Sequence, residues 1–144
     1  MHPQKPVVMV PVVAGAVIRK DKKFLLVQEA QPKAYGLWNF PAGRVDEGDT
    51  IEQTAVKEAH EESGFEVELV KKIGIYQDEA MQPPKHAFSA RIIGGELGFP
   101  KDEILDAQWF SLSEIEAMKE KGELRDAWVY EAVKIVEDNL ESYT

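Results

Sequence analysis

The chain has 144 residues, and its 17 basic and 26 acidic side chains give a formal net charge of −9. This length fits one domain spanning residues 1–144, and the negative charge argues against binding to a nucleic-acid polymer, whose phosphates need basic partners. The chain has no cysteine, which excludes disulfides, thiolate metal sites and cysteine nucleophiles.

The apolar run near the start, VVMVPVVAGAVI, follows Lys5 and resembles a secretory signal, with Ala14-Gly15-Ala16 as a small-residue cleavage site. The run is too short to span a bilayer as a helix, and Pro11 interrupts it. Its β-branched residues favour a buried strand. We therefore expect a cytoplasmic protein that does not bind membranes.

The first half of the chain predicts three short strands, a loop and a helix. The strands are VVAGAVIRK, KFLLVQEA and GLWNF, with a turn at Asp21-Lys22 between the first two. The loop PAGRVDEGDT follows, and either Asp49 or Thr50 can cap the helix after it. This helix is predicted from about Thr50 to Ser63, and Gly64 ends it.

The second half continues the mixture of strands and helices. FEVELVKKIGIY alternates apolar and acidic residues as a half-buried strand does, and HAFSARIIGG and DAQWF also predict strands. Ser111 and Glu114 form a capping box that opens a helix through about Lys119, and a last helix is predicted from about Asp126 to Leu140. This order of elements predicts an α/β fold in which a sheet is sandwiched between helices.

The predicted helix after the glycine-bearing loop concentrates negative charge on one face. Glu58, Glu61 and Glu62 stand at i, i+3 and i+4, so their carboxylates repel one another. They also lie in the second half of the helix, where negative charge opposes the helix dipole. A solvated helix face is one interpretation. A site for a hard divalent cation next to phosphate chemistry is the other.

The segment GRVDEGDTIEQTAVKEAHEESGF, residues 43–65, resembles the Nudix box of Nudix (MutT-like) hydrolases. The positions that match the box are Gly43, Glu58, Ala59, Glu61, Glu62, Gly64 and Phe65. The resemblance implies the Nudix fold, a mixed β-sheet between α-helices. Within that family, LWNFPAG and DAQWFSLSEI are similar to NudJ-type phosphatases.

The resemblance also implies a site for Mg²⁺ or Mn²⁺. Its ligands would be Glu58, Glu61, Glu62 and a backbone carbonyl of the loop, that of Ala42. Glu58 and Glu61 would be catalytic, with Glu58 shared between metal binding and general-base duty. In some members of the family the base comes from a later loop, which here offers Glu96, Asp102 and Glu103.

Two positions depart from the box. Asp49 stands in place of a glutamate. Its position is where the loop leads into the helix, so we expect it to support the loop and the helix start. Lys57 stands in place of an arginine, and we expect it to act in catalysis by orienting a box glutamate. A lysine offers a point charge where arginine offers a planar fork.

Five further side chains are candidates for substrate binding. Arg44 could contact a phosphate or lie free on the surface, and Trp38 could stack on a ring or pack in the core. Three others lie on strands expected to line the pocket: Tyr76, Phe88 and Arg91. His60 lies off the glutamate stripe and is expected to be structural or exposed.

These features predict a magnesium-dependent pyrophosphohydrolase. Its partner would be a small phosphoanhydride, a nucleoside di- or triphosphate or a related molecule, and we expect a monomer or a homodimer. The alternative is a catalytically weak binding module of the same fold that senses a nucleotide.

Overall fold

The computed structural model describes residues 11–77 and 82–144. Residues 5–10 of the signal-like segment lie outside the described residues, whereas Ala14-Gly15-Ala16 lies in a strand. In the described parts of the chain, no helix is both long enough and apolar enough to cross a membrane.

Seven strands form one sheet, and their bounds are β1 Val13–Lys20, β2 Lys23–Glu29, β3 Trp38–Asn39, β4 Ala42–Arg44, β5 Phe65–Tyr76, β6 Lys85–Gly95 and β7 Ile104–Phe110. The strand order is β3-β2-β1-β6-β5, with β4 paired to β1 and β7 paired to β2. The pair β1–β6 is parallel and the other pairs are antiparallel. The sheet is therefore mixed, as predicted.

Helices cover both faces of this sheet, and their bounds are α1 Ile51–Ser63, α2 Leu112–Glu120, α3 Ala127–Asp138 and α4 Leu140–Tyr143. Alternate residues of β1 face different helices. Ala16 and Ile18 share a buried cluster with Ala59 of α1, whereas Val17 packs with Ile115 of α2 and Val133 of α3. This alternation is the period of a strand buried on both faces, and it confirms the predicted sandwich.

The turn and cap signals read from the sequence are present. Asp21 and Lys22 both have positive φ, 51° and 67°, as the tight turn between β1 and β2 requires. Thr50, not Asp49, caps α1, because its side chain accepts a hydrogen bond from the backbone N–H of Gln53. Ser111 forms the predicted capping box at the start of α2.

Two local predictions were wrong. Residues 42–44, expected in a loop, form β4, because their backbone pairs with Val13, Ala14 and Gly15 of β1. The last helix ends at Asp138 instead of Leu140, since Asn139 (φ −140°, ψ 50°) leaves the helical conformation before the short helix α4. Neither the pairing of β4 with β1 nor the conformation of Asn139 can be read from the spacing of apolar residues along the sequence.

Gly64 ends α1 in the left-handed conformation, with φ 83°. A Cβ there would collide with the Glu96 carbonyl and lie 2.9 Å from the Gly98 backbone nitrogen, whereas a Cβ at Gly122 (φ 71°) would meet nothing within 4 Å. We expect Gly122→Ala to lower the free energy of unfolding by about 1 kcal/mol. Gly64→Ala should lower it by roughly 2 kcal/mol more, because collision adds to strain. Denaturant unfolding of both variants checks this, and equal losses would contradict the collision.

Candidate active site

An open cleft of about 830 Å³ runs along one edge of the molecule, between α1, β4 and the start of α3. Both signs of charge line it. Its acidic side chains are Glu29, Asp46, Glu58, Glu61, Glu62 and Glu103, and its basic ones are Lys33, Arg44, Lys85 and Arg125. The structure therefore brings the three glutamates of the stripe into one cleft.

Helix α1 lies very close to β4 at Gly43. A Cβ at Gly43 would lie 2.6 Å from Oε1 of Glu58, so the Glu58 carboxyl occupies the space that a side chain would need. The small residues Ala55 and Ala59 of α1 are fully buried and cluster with Ala14 and Ala16 of β1. The backbone N–H of Ala42 also donates to Oε1 of Glu62, at 3.4 Å. The carboxyls are thus pressed against the backbone of β4.

Glu58 and Glu62 share a hydrogen bond and both have raised pKa values. Burial is the main cause for each. The negative charge of Glu58 raises the pKa of Glu62 further, while the hydrogen bond from Glu62 lowers the pKa of Glu58. The pKa of Glu62 lies well above its ordinary value of 4.5. Protonation of Glu62 is therefore more favourable here than in a free glutamate.

The chemistry of these donors fits a hard divalent cation. Within residues 11–77 and 82–144, no group of three or more His, Cys, Asp and Glu side chains is already spaced to hold a metal ion. The donors are nevertheless all carboxylate oxygens, the ligands that Mg²⁺ and Mn²⁺ prefer. A dication between Glu58 and Glu62 would cancel their repulsion. For Ala42, the contact present is through its N–H and not through the predicted carbonyl.

Lys57 does not contact a box glutamate, contrary to the predicted orienting contact. Its Nζ donates to Asp46 at 3.0 Å and to Asp49 at 2.9 Å. These two carboxylates raise the pKa of Lys57, with Asp49 the larger cause. Both positions that depart from the box, Asp49 and Lys57, are thus partners in one ion pair. This pair ties the loop before α1 to the helix.

Of the five predicted substrate-binding residues, two lie at the cleft. Arg44 lines it directly, and Tyr76 lines an adjoining cavity of about 220 Å³. The other three do not line either volume, and each has another partner. Trp38 packs edge-on against Phe110 at 5.1 Å, Phe88 is buried with Ala14 and Ala55 beneath α1, and Arg91 forms an exposed ion pair with Glu68.

Among the candidate acids of the later loop, only Glu103 lines the cleft. Its charge contributes to the raised pKa of Glu58, so the two carboxylates influence each other. Glu96 and Asp102 are exposed and absent from the cleft lining. His60 is exposed, in agreement with its predicted structural or exposed role.

Sequence reasoning missed the residues at the other end of the cleft. They come from four separate segments and include Glu29, Asn39, Lys85, Arg125 and Trp128. Backbone hydrogen bonds join two of these segments: Trp38 N–H donates to the Glu123 carbonyl at 2.9 Å, and Arg125 N–H donates to the Trp38 carbonyl at 2.8 Å. No motif spans these positions, so spacing along the sequence gave no signal for them.

Comparison with known proteins supports the resemblance seen in the sequence. The family model of the NUDIX domain matches residues 9–133. One solved structure similar to this chain is described as a NUDIX hydrolase from Nitrosomonas europaea. The two sequences are 28% identical, and the alignment covers 91% of this chain and 90% of the other, with a TM-score of 0.75.

Two curated relatives are 37% identical over shorter segments. One is a Caenorhabditis elegans protein provisionally named nudix hydrolase 1, aligned over 74% of this chain and 30% of its own length. The other is a Bacillus subtilis (strain 168) protein provisionally named an 8-oxo-dGTP diphosphatase, aligned over 66% of this chain and 62% of its own length. The chain thus covers less than two thirds of either relative.

The raised pKa of Glu62 predicts a pH dependence of stability in chelator, because the folded protein binds a proton more tightly there than the unfolded chain does. The folded protein keeps this proton at pH values where the unfolded chain has released it. The free energy of unfolding should therefore fall as pH rises from 4.5 towards the raised pKa, by up to about 1.4 kcal/mol per pH unit. Glu62→Gln cannot release a proton and should lose this fall.

Denaturant unfolding between about pH 5 and pH 8 measures the effect. Glu116→Gln, on the exposed side of α2, is the matched control and should keep the wild-type slope. Equal slopes for wild type and Glu62→Gln would show that Glu62 does not hold the proton.

Proposed function

The chain belongs to the NUDIX family, and on that premise we propose that it is a divalent-metal-dependent hydrolase that cleaves a diphosphate linkage in a nucleoside di- or triphosphate or a related small molecule. The observation that carries this proposal is the position of Glu58, Glu61 and Glu62. All three line one cleft, at the point where Gly43 lets the backbone of β4 approach them.

The residues that would hold the metal are Glu58, Glu61 and Glu62. All three side chains line the same cleft, and the negative charges of Glu58 and Glu62, which repel each other, favour a dication between them. When bound, Mg²⁺ or Mn²⁺ supplies positive charge to the diphosphate oxygens and lowers the pKa of a water molecule. Carboxylate oxygens favour these ions over softer metals.

Other cleft residues can accept a proton or bind the phosphates during hydrolysis. A water oxygen attacks one phosphorus of the diphosphate, and the bond from that phosphorus to the bridging oxygen breaks, so the leaving phosphate takes the electron pair. The proton of the water needs a carboxylate acceptor, for which Glu58 and Glu103 are the candidates in the cleft. Arg44 offers a guanidinium that can hold two phosphate oxygens.

A nucleotide substrate is supported by the relative named as an 8-oxo-dGTP diphosphatase, which shares 37% identity with this chain. The cleft also extends well beyond the glutamates, so it has room for a group attached to the diphosphate. The similarity to NudJ-type phosphatases stays a prediction. A small-molecule substrate is favoured over a polymer by the net charge of −9.

Metal dependence tests this function. With Mg²⁺ or Mn²⁺, a panel of nucleoside di- and triphosphates and nucleotide sugars should yield phosphate products, and excess chelator should stop the reaction. Glu61→Gln should lower kcat by orders of magnitude because it removes a charged ligand. Glu52→Gln, in the first turn of the same helix and outside the cleft lining, is the matched control and should keep the wild-type rate.

Full turnover in chelator would contradict the metal mechanism. Metal-dependent binding of nucleotides without any turnover would favour the binding module instead. Product identification by mass shows which phosphorus the water attacked.

The ion pair of Lys57 with Asp49 predicts how substitutions at Lys57 act. Lys57→Arg keeps a cation between the two carboxylates, so kcat should equal or exceed that of wild type. Lys57→Ala releases the loop that carries Asp46 and Asp49, and should lower kcat several-fold with a smaller change in KM.

Asp49→Ala removes the partner of Lys57 and provides the second half of a double-mutant cycle. If Lys57 acts through this loop, the double variant should be no slower than the slower single variant. Additive losses in kcat would mean that Lys57 acts on another group.

A further inference from the structure

The loop between β6 and β7, residues 96–103, brings Glu103 to the cleft. Glu103 lines the cleft together with the glutamates of α1. Burial is the main cause of the raised pKa of Glu58, and the charge of Glu103 adds to it, so the two carboxylates lie within electrostatic reach of each other. The Glu103 side chain is exposed, and packing around it therefore does not hold it beside Glu58. Its position must come from the backbone of the loop.

The loop begins against the C-terminal end of α1. The backbone N–H of Gly98 donates to the Ser63 carbonyl at 2.9 Å. Ser63 is the last residue of the helix, so its carbonyl has no acceptor role within the helix itself. The approach is close, because a Cβ at Gly64 would lie only 2.9 Å from the Gly98 nitrogen. The loop and the helix end thus meet backbone to backbone.

The other end of the loop is held by β2. The N–H of Ala30 donates to the Glu103 carbonyl at 3.0 Å. The N–H groups of Glu103 and Ile104 both donate to the Pro100 carbonyl, at 3.1 and 2.9 Å, which closes a turn over residues 100–104. Glu103 therefore lies at the end of a short, internally bonded segment, and the Gly98 bond ties that segment to the helix that carries Glu58.

A β-bulge follows Glu103 directly. In the pairing of β7 with β2, Gln28 lies opposite Asp106 and Glu29 lies opposite Ile104, so Leu105 is an inserted residue. Leu105 is 37% exposed, whereas Ile104 is buried in the cluster beneath α1. A bulge bends its strand and redirects the side chains next to it. The start of β7 thus exposes an apolar side chain and keeps Ile104, the neighbour of Glu103, at the cleft.

We propose that the hydrogen bond from Gly98 to Ser63 positions Glu103, because it ties the loop to the end of α1 and so holds the Glu103 carboxylate beside Glu58 for its part in hydrolysis. The inference rests on the proposed function, in which Glu58 and Glu103 are the candidate proton acceptors. It adds Gly98, which itself lies outside the cleft lining, as a positioning residue.

Two substitutions at Gly98 test this role. Gly98→Pro removes the N–H and with it the bond to Ser63, whereas Gly98→Ala keeps the N–H, and its Cβ would meet nothing within 4 Å among the described residues. With Mg²⁺ and a nucleotide that wild type cleaves, Gly98→Pro should lower kcat about tenfold and leave KM nearly unchanged. Gly98→Ala should keep both wild-type values. Equal kcat values for the two variants would overturn the proposal.

Combining Gly98→Pro with Glu103→Gln shows whether the loss acts through Glu103. Glu103→Gln alone should lower kcat by at least as much as Gly98→Pro, and the double variant should be no slower than Glu103→Gln. A merely structural role of Gly98 would instead give losses that multiply in the double variant, which would contradict the proposal. A wild-type kcat in Glu103→Gln would also overturn it, since there would be nothing for the loop to position.

Gly64→Ala decides the matter if Gly98→Pro fails to fold. Its Cβ would collide with the Glu96 carbonyl and push the loop away from α1, so kcat should fall, and Glu103→Gln should again remove the further loss. Gly122→Ala, which has the same backbone strain without a collision, is the control and should keep the wild-type kcat. The proposal fails if Gly64→Ala and Gly122→Ala have the same kcat. Failure of the proposed function shows separately, as absent metal-dependent turnover by the wild type.

Discussion

The close contact between helix α1 and strand β4 determines the shape of the cleft. Gly43 has no side chain, and the Glu58 carboxyl fills the space that a Cβ would take. The N–H of Ala42 donates a hydrogen bond to the neighbouring Glu62. Any larger residue at Gly43 would move the carboxyl away from the backbone. The remaining site residues are arranged around this contact.

This contact leaves two half-buried carboxyls side by side without a basic hydrogen-bond partner within the described parts of the chain. The nearest lysine, Lys57, is directed to Asp46 and Asp49 of the preceding loop, where it fixes the loop instead of neutralising the glutamates. The pKa of Glu62 is raised as a result, mainly by desolvation and then by the charge of Glu58. The repulsion between Glu58 and Glu62 lowers the free energy of unfolding near neutral pH. Local destabilisation of this kind is expected at a site that binds a charged ligand.

The two ends of the cleft differ in their chemistry because they come from different parts of the chain. One end consists of the α1 glutamates against β4. The other consists of β3 and the segment before α3, where Arg125 and Lys85 are neutralised by Glu29 and Asp126. The segment 123–125 joins the two ends because it pairs with the backbone of β3.

The sequence by itself determined the features that depend on residues close together along the chain. Gly64 ends α1, Ser111 opens α2 with a capping box, and Glu58, Glu61 and Glu62 share a face because the helical period places them there. The tertiary structure decided which segments meet. The pairing of β4 with β1, the ion pair of Lys57 with Asp49, and the packing of Trp38 against Phe110 all join such segments. The placement of Asn39 and Trp128 in one cleft likewise joins residues 89 positions apart, and such proximity arises from strand order and helix packing, which no local period encodes.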